Sequence, residues 1–101
     1  MILDALQLTI LNEESHQSVL VGDYRIDFIY NSLINRWFLN IYYKDELLAG
    51  GIKIIPNKNL VEFFSPNFEI VVISNNPIID RAELALAKVV YIPIEEENIY
   101  V

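Results

Sequence analysis

Two consecutive runs of alternating side chains constrain the fold of this chain more than any other feature. The first run places Tyr24, Ile26, Phe28 and Tyr30 at every second position, and the second run does the same with Trp37, Leu39, Ile41 and Tyr43. A period of two predicts β-strands that each turn one face to a core. The segment 31–35 between them has asparagine at both ends, which favours a hairpin connection. The sequence therefore predicts two paired antiparallel strands.

Shorter runs predict further strands on both sides of this hairpin. They lie at 6–10, 17–21, 47–51, 52–55, 68–74 and 88–92. Gly22-Asp23 is a tight-turn pair between alternating runs, so it predicts a second hairpin. The nearly continuous apolar run 68–74 predicts a strand buried on both faces. Gly50-Gly51 predicts a bulge or a sharp bend, and Pro93 predicts that the last strand ends there or lies at an edge.

One short helix is predicted near residues 80–86, where Asp80 and Glu83 have the spacing of a capping box. Parallel strands would need crossovers of about a dozen residues each, and the chain has no room for them. We therefore expect an all-β fold: a small antiparallel β-barrel or sandwich of about seven to eight short strands. With 101 residues the chain is expected to form a single domain, 1–101.

The apolar content is high, at 53% of residues with 12% aromatic, and the mean hydropathy is positive. Two explanations remain open: a small barrel with little polar surface, or a subunit whose apolar exterior is covered in an assembly. Large apolar patches on a free surface usually mark contact sites, which favours the assembly.

The charge is also informative, because the net value is −7 and the seven lysine and arginine residues are spread singly. Such a chain lacks a groove that could follow nucleic-acid phosphates, and anionic lipid would repel it. The first residues have neither a positive region nor a run of about 18 apolar residues, so we expect no signal peptide, no membrane span and synthesis in the cytoplasm. The chain has no cysteine, which excludes disulfides and thiolate metal sites.

Candidate catalytic groups are few. His16, the sole histidine, is predicted to be an exposed loop residue, since no orienting carboxylate is evident from its spacing. The adjacent carboxylates Glu13-Glu14 and 95–97 are predicted to be solvated, because neighbours on a strand point to opposite faces. A strand rather than a helix is expected after Gly50-Gly51, unlike a phosphate-binding loop. We therefore predict no enzyme activity, no cofactor and no metal.

The aromatic residues Tyr24, Phe28, Trp37 and Tyr43 are predicted to belong to the core. Tyr30 and Tyr42 are possible exceptions, which leaves an alternative function: a small free-standing β-barrel module that binds a peptide or sugar through Tyr30, Tyr42 and the region 60–64.

Several segments in order resemble one known family. They are Gly22-Asp23-Tyr24-Arg25-Ile26, Arg36-Trp37-Phe38-Leu39-Asn40-Ile41, Leu47-Leu48-Ala49-Gly50, Phe68-Glu69-Ile70-Val71-Val72, a turn at 77–84 and Val90-Tyr91. Together they resemble the baseplate plug proteins of contractile-tailed bacteriophages. The pairing of a Tyr-Arg strand with a Trp-centred strand and Leu-Ala-Gly is its most specific element. The chain departs from the family at the late turn, where Ala82 to Leu84 replaces Leu-Gly, and in its acidic end.

The resemblance implies a virion structural protein of the tail baseplate, made in the host cytoplasm. It would pack with hub and spike at the distal end of the tail tube and help to close or organise the central channel. Its implied partners are the hub, spike and tail tube proteins, together with symmetric copies of itself, three-fold or six-fold. From exposure expected along the chain, we predict protein-interface residues Phe38, Tyr42, Ile99, Tyr100 and Val101.

Overall fold

The structure, a computed structural model, describes residues 6–10, 15–64 and 67–93. These residues form seven strands: β1 Leu6–Leu8, β2 His16–Val21, β3 Tyr24–Asn31, β4 Arg36–Tyr43, β5 Glu46–Lys53, β6 Phe68–Ile73 and β7 Lys88–Pro93. A 3-10 turn spans Glu62–Phe64, and a single helical turn, α1, spans Glu83–Leu86. The predicted all-β class, the strand number and the short helix are confirmed.

Two antiparallel sheets make up the fold. The four-stranded sheet has the order β2-β3-β4-β5, and the three-stranded sheet has the order β1-β7-β6. Because each sheet keeps its own edge strands among the described residues, the arrangement is a sandwich and not a closed barrel. Of the two predicted architectures, the sandwich is therefore confirmed.

Both predicted hairpins are present. Gly22 has φ of 61° at the first position of the two-residue turn between β2 and β3, where type II′ geometry requires glycine. Strands β3 and β4 pair along their whole lengths, from Tyr24 opposite Tyr43 to Asn31 opposite Arg36. Asn35 closes this second turn with φ of 57°, a conformation that asparagine tolerates better than most residues. Local turn chemistry thus fixes the register of three strands.

The core lies between the two sheets and joins their facing sides. Its largest fully buried side chains are Trp37, Phe28, Phe68, Ile26, Leu39, Ile41, Ile70, Ile79, Leu84, Val61, Val72 and Val89. Alternation along β3 and β4 supplies one wall of this core, as the sequence predicts. The prediction that Tyr43 belongs to the core is wrong. Tyr43 is exposed because it is the last residue of β4, beside the turn to β5.

Strand β5 passes through both glycines without interruption, so the separate strand predicted at 52–55 is wrong. The pairing of β5 with β4 shifts register near Ile41, which confirms the predicted bulge. Gly51 has φ of 67°, and its N–H donates to Asn40 Oδ1 at 2.8 Å. A residue with a side chain would be strained at that φ, which explains why glycine stands there.

Strand β6 alternates between buried and more exposed residues, so the prediction of burial on both faces is wrong. Phe68, Ile70 and Val72 face the core, whereas Ile73 at the end of the strand is exposed. The three-stranded sheet covers the core from one side, and its other face is not sandwiched by a further described layer. Strand β7 ends at Pro93, as one of the two predictions for this proline states. The other prediction, that the strand lies at an edge, is wrong because β7 is the central strand of its sheet.

Helix α1 forms half of the predicted capping box. Asp80 Oδ1 accepts a hydrogen bond from the Glu83 N–H at 3.0 Å. The Glu83 carboxylate instead accepts from Ser74 Oγ at 2.6 Å and from Asn76 Nδ2 at 3.5 Å. Glu83 therefore ties this single turn, which would be unstable alone, to the loop that follows β6.

Candidate interaction surface

The four-stranded sheet has an outer face, opposite the core, that the three-stranded sheet does not cover. Three cross-strand rows make up this outer face: Leu20-Arg25-Tyr42-Leu47, then Ser18-Asp27-Asn40, then His16-Ile29-Phe38-Lys53. The middle row is polar, and each of the flanking rows mixes apolar with basic side chains. This outer face contains two of the predicted interface residues, Phe38 and Tyr42, on the same side of β4 and four residues apart.

Asp27 is the buried polar centre of the outer face, with only 5% of its surface exposed. Ser18 Oγ donates to Asp27 Oδ1 at 2.7 Å, and Arg25 Nε donates to the same oxygen at 3.2 Å. His16 Nε2 lies 3.3 Å from the other oxygen, Oδ2. A buried carboxylate is tolerated when donors satisfy it, and these three side chains satisfy Asp27.

Arg25 links the polar centre to an aromatic ring. Its guanidinium carbon lies 4.0 Å from the centroid of the Tyr42 ring, and its Nη1 donates to Asp45 Oδ1 at 3.3 Å. A planar guanidinium favours this position over the face of an aromatic ring. Tyr42 is consequently half-buried, and the atoms it offers to a partner are shared with Arg25.

The flanking rows carry the apolar part of the outer face. Phe38 is half-buried between Ile29 and Lys53, its cross-strand neighbours. Leu20 and Leu47, at the two edges of the sheet, are 74% and 53% exposed. An apolar perimeter around a satisfied polar centre is suited to contact with another protein, since those side chains gain by leaving water.

The prediction that His16 lies in an exposed loop is wrong in its location, because His16 is the first residue of β2, although its side chain is indeed exposed. A carboxylate does orient it, which the sequence did not reveal because Asp27 comes from the neighbouring strand. Serine, histidine and aspartate therefore meet here, but in the wrong order for nucleophilic catalysis. Ser18 donates directly to Asp27, whereas activation requires the histidine to lie between the other two.

Tyr30 and Tyr42, the residues of the alternative binding-module hypothesis, lie on opposite faces of the sheet. Tyr30 packs on the inner side of the sheet, where its ring centroid lies 5.4 Å from the centroid of the Trp37 ring. The guanidinium carbon of Arg81 lies 5.0 Å from the Tyr30 ring centroid. The two tyrosines therefore cannot form one platform for a sugar or peptide.

The tip of the β3–β4 hairpin is a feature that the sequence analysis missed. Leu33 is 93% exposed, and Ile34 beside it is also exposed. Their turn is held by the Leu33 N–H, which donates to Asn31 Oδ1 at 3.0 Å, and by Arg36 Nη1, which donates to the Asn35 carbonyl at 2.8 Å. Two apolar residues inside the four-residue loop 32–35 were the available signal, since such loops are normally polar.

Some predicted positions lie outside the described residues. These are Ile99, Tyr100 and Val101, together with the carboxylates at 13–14 and 95–97. Within 6–10, 15–64 and 67–93, no three histidine, cysteine or acidic side chains are grouped so that they could hold a metal ion. Within the same ranges, no helix has the length and apolar character needed to cross a membrane.

The fold and the outer face together define a class of protein: an all-β sandwich with a partly apolar sheet face that no other described element covers. A family model described as cyanophage baseplate Pam3 plug gp18 matches residues 5–97. The chain therefore belongs to this family of phage baseplate plug proteins, which gives it a structural role in the tail baseplate of a virion. The predicted family is confirmed. No match is found among curated proteins.

Proposed function

We propose that this protein packs with hub and spike proteins at the distal end of the tail tube and helps to close or organise the central channel. It does so by protein contacts and without catalysis. Copies are arranged symmetrically around the tail axis, three-fold or six-fold, next to the tail tube. The predicted interface residues Phe38 and Tyr42 and the segment Ile99 to Val101 contribute to these contacts.

The open outer face of the four-stranded sheet is the observation that carries this proposal. Leu20 and Leu47 are exposed at its edges, and Phe38 and Tyr42 are only half-buried on it. A subunit of a symmetric assembly can expose more apolar surface than a free monomer, because its neighbours cover that surface. Membership of a baseplate plug family supplies the kind of assembly.

Incorporation into tails tests the proposal directly. A phage that lacks this gene would be complemented with the wild-type chain, with Phe38→Ser/Tyr42→Ser, or with a chain that ends at Asn98. The isolated variants are first compared with wild type by circular dichroism. We expect both variants to keep the fold and to enter tails less well, measured as copies per tail by mass spectrometry.

Leu86→Ser is the matched control, because Leu86 is 78% exposed on α1, away from the outer face. It should enter tails as wild type does. Normal incorporation of both test variants would contradict the assignment of these residues to the interface. Tails that assemble and eject DNA normally without any copy of the protein would contradict the proposed role itself. Unfolding of the chain that ends at Asn98 would show that its missing residues belong to the core.

A further inference from the structure

A groove runs along one flank of the sandwich, between the edge strand β5 and the segment 55–63. Its volume is about 570 Å³. Ile52, Ile55 and Leu60 contribute apolar lining. Lys53 and Lys58 contribute two ammonium groups, and Glu62 contributes one carboxylate. We call this concavity the flank groove. Lys53 also ends the third row of the outer face, so the flank groove adjoins that face along β5.

The chain itself creates the flank groove by crossing from one sheet to the other after β5. The Asn57 N–H donates to the Val72 carbonyl at 2.7 Å, and the Leu60 N–H donates to the Ile70 carbonyl at 2.9 Å. The segment 55–63 therefore covers the edge of β6 but leaves the edge of β5 open. In the described part of the chain, no strand pairs with that open edge. An open edge offers backbone N–H and C=O groups to an extended segment.

The flank groove has one more basic than acidic lining residue, because Lys53 and Lys58 outnumber Glu62. Lys53 and Lys58 are both exposed, and neither forms an ion pair with a carboxylate of the described residues. Two other concave surfaces differ: one contains both Glu83 and Lys88, and the other contains Asp23 and no basic residue. Among these three surfaces, the flank groove is the one with more basic than acidic lining residues, and an acidic occupant would therefore favour it.

The sequence contains a segment with matching chemistry. All seven basic residues lie in the described ranges, together with eight of the fourteen acidic ones. The other six acidic residues lie in the remaining segments, and three of them form the run 95–97. Ile99, Tyr100 and Val101 follow that run. Acidic residues followed by apolar ones are complementary to two lysines beside an apolar groove.

We propose that the flank groove is the docking site for residues 95–101 of a neighbouring copy of this chain. The glutamates of the neighbour lie against Lys53 and Lys58, and its apolar residues cover Ile52 and Ile55. This inference rests on the proposed function, in which copies surround one axis. Groove and segment are different surfaces, so the contact is head-to-tail, and such contacts close into rings when the rotation between copies allows it.

Distance along the sheet favours a neighbour over the same chain. Pro93 pairs with Phe68, and the Phe68 ring centroid lies 4.8 Å from that of Tyr24. Tyr24 pairs with Tyr43, the last residue of β4, so Pro93 lies at the end of the sandwich where β4 turns into β5. Lys53 pairs with Phe38, five residues away along β4, which corresponds to about 17 Å at the rise of a strand. Even when fully extended, the four residues from Pro93 to Glu97 span about 13 Å, which is less than the distance along the sheet to Lys53. A neighbour has no such restriction.

Disulfide trapping in the full chain tests the proposal, because the natural sequence contains no cysteine. Chains that carry Ile55→Cys would be mixed with chains that carry Asn98→Cys and oxidised. We expect at least about tenfold more of the mixed disulfide than in a control mixture of Leu20→Cys with Asn98→Cys, since docking raises the local concentration of the two thiols. Leu20 is a matched control because it is an exposed apolar residue on the opposite edge strand, β2.

Charge reversal then tests the recognition. Lys53→Glu/Lys58→Glu in the Ile55→Cys chain should reduce the mixed disulfide to the control level. Reversal of the three glutamates 95–97 to lysine in the Asn98→Cys chain should do the same. Combining both reversals should restore the yield, which a merely misfolded variant would not do.

Two results would overturn the proposal. One is a yield of mixed disulfide no higher than in the Leu20→Cys control. The other is a disulfide that forms only inside single chains carrying both Ile55→Cys and Asn98→Cys, which would make the occupant the same chain. The measurement uses purified protein and does not depend on tails. Tails that assemble and eject DNA normally without the protein, while trapping is intact, would therefore contradict the proposed function alone.

Discussion

The Trp37 indole Nε1 donates a hydrogen bond to the Asp80 carbonyl at 2.9 Å, across 43 residues of sequence. Trp37 is fully buried in β4, and Asp80 precedes α1. This bond therefore connects the four-stranded sheet to the segment that carries the helical turn. It also satisfies the one polar atom of the largest core side chain, as a buried indole requires.

Trp37→Phe should lower the free energy of unfolding by about 2–3 kcal/mol, because it removes the indole donor and leaves a smaller ring in the same space. Urea unfolding followed by circular dichroism measures the change. Leu86→Ser, on the exposed side of α1, should stay within about 0.5 kcal/mol of wild type. A loss at Trp37 no larger than that of the control would contradict the importance of this contact.

Asp27→Asn should lower the free energy of unfolding by about 1–3 kcal/mol, since a neutral amide replaces a buried carboxylate that Ser18 and Arg25 both hydrogen-bond. Urea unfolding again gives the value. Asp45→Asn is the comparison, because the Asp45 side chain is 90% exposed although it also contacts Arg25. It should cause little change, as exposed ion pairs contribute little. Equal effects from the two substitutions would argue against a special role for Asp27.

Gly51→Ala should lower the free energy of unfolding by about 1–2 kcal/mol through backbone strain alone, because a Cβ at Gly51 meets nothing within 4 Å while φ is 67°. Gly51→Asn should cost less, since asparagine tolerates that conformation. Thermal unfolding of the pair provides the measurement. An alanine variant as stable as the asparagine variant would mean that strain does not explain this glycine.

Alkaline pH should destabilise the fold through Tyr91. Burial, and secondly the nearby Tyr24, raise the pKa of Tyr91 above its ordinary value of 10.0. Above pH 10.0 the unfolded chain has largely lost the Tyr91 hydroxyl proton, whereas the folded protein still retains it. The free energy of unfolding therefore falls as the pH rises through this range. The contribution to stability is complete below pH 10.0 and is lost as the pH rises through the folded pKa. Urea unfolding as a function of pH measures it.

Tyr91→Phe should flatten this alkaline loss, because the variant has no proton to release at that position. Tyr43→Phe, which changes an exposed tyrosine, should keep the wild-type pH dependence. If the slope of stability against pH is the same in Tyr91→Phe as in wild type, the alkaline loss has another origin.

Features that depend on near neighbours in the chain were predictable. The hairpin from β3 to β4 follows from alternation and from asparagine at both ends of the loop. The bulge in β5 follows from its two glycines. Predictions were wrong where distant segments determine the burial of a strand. The apolar residues of β6 predict burial on both faces, yet the sandwich covers only one of those faces.

The candidate site shows the same division. Phe38 and Tyr42 could be assigned to the outward side of β4 from alternation alone. The partners of Asp27 could not, because His16 and Ser18 reach it from β2 across the sheet, and the pairing register determines which side chains meet. Phe38 and Tyr42 are half-buried rather than fully exposed because Arg25 and Ile29 come from the adjacent strand.

The amino-acid sequence alone was sufficient to predict an antiparallel β structure, the positions of its hairpin turns and the family to which the protein belongs. Those properties depend on side-chain period, on turn residues and on short motifs, all of which are local along the chain. The sandwich architecture, the three donors around the buried Asp27 and the flank groove became apparent only in the folded protein. Each of these depends on which edges meet and which faces remain uncovered, and such contacts join residues that are far apart in sequence.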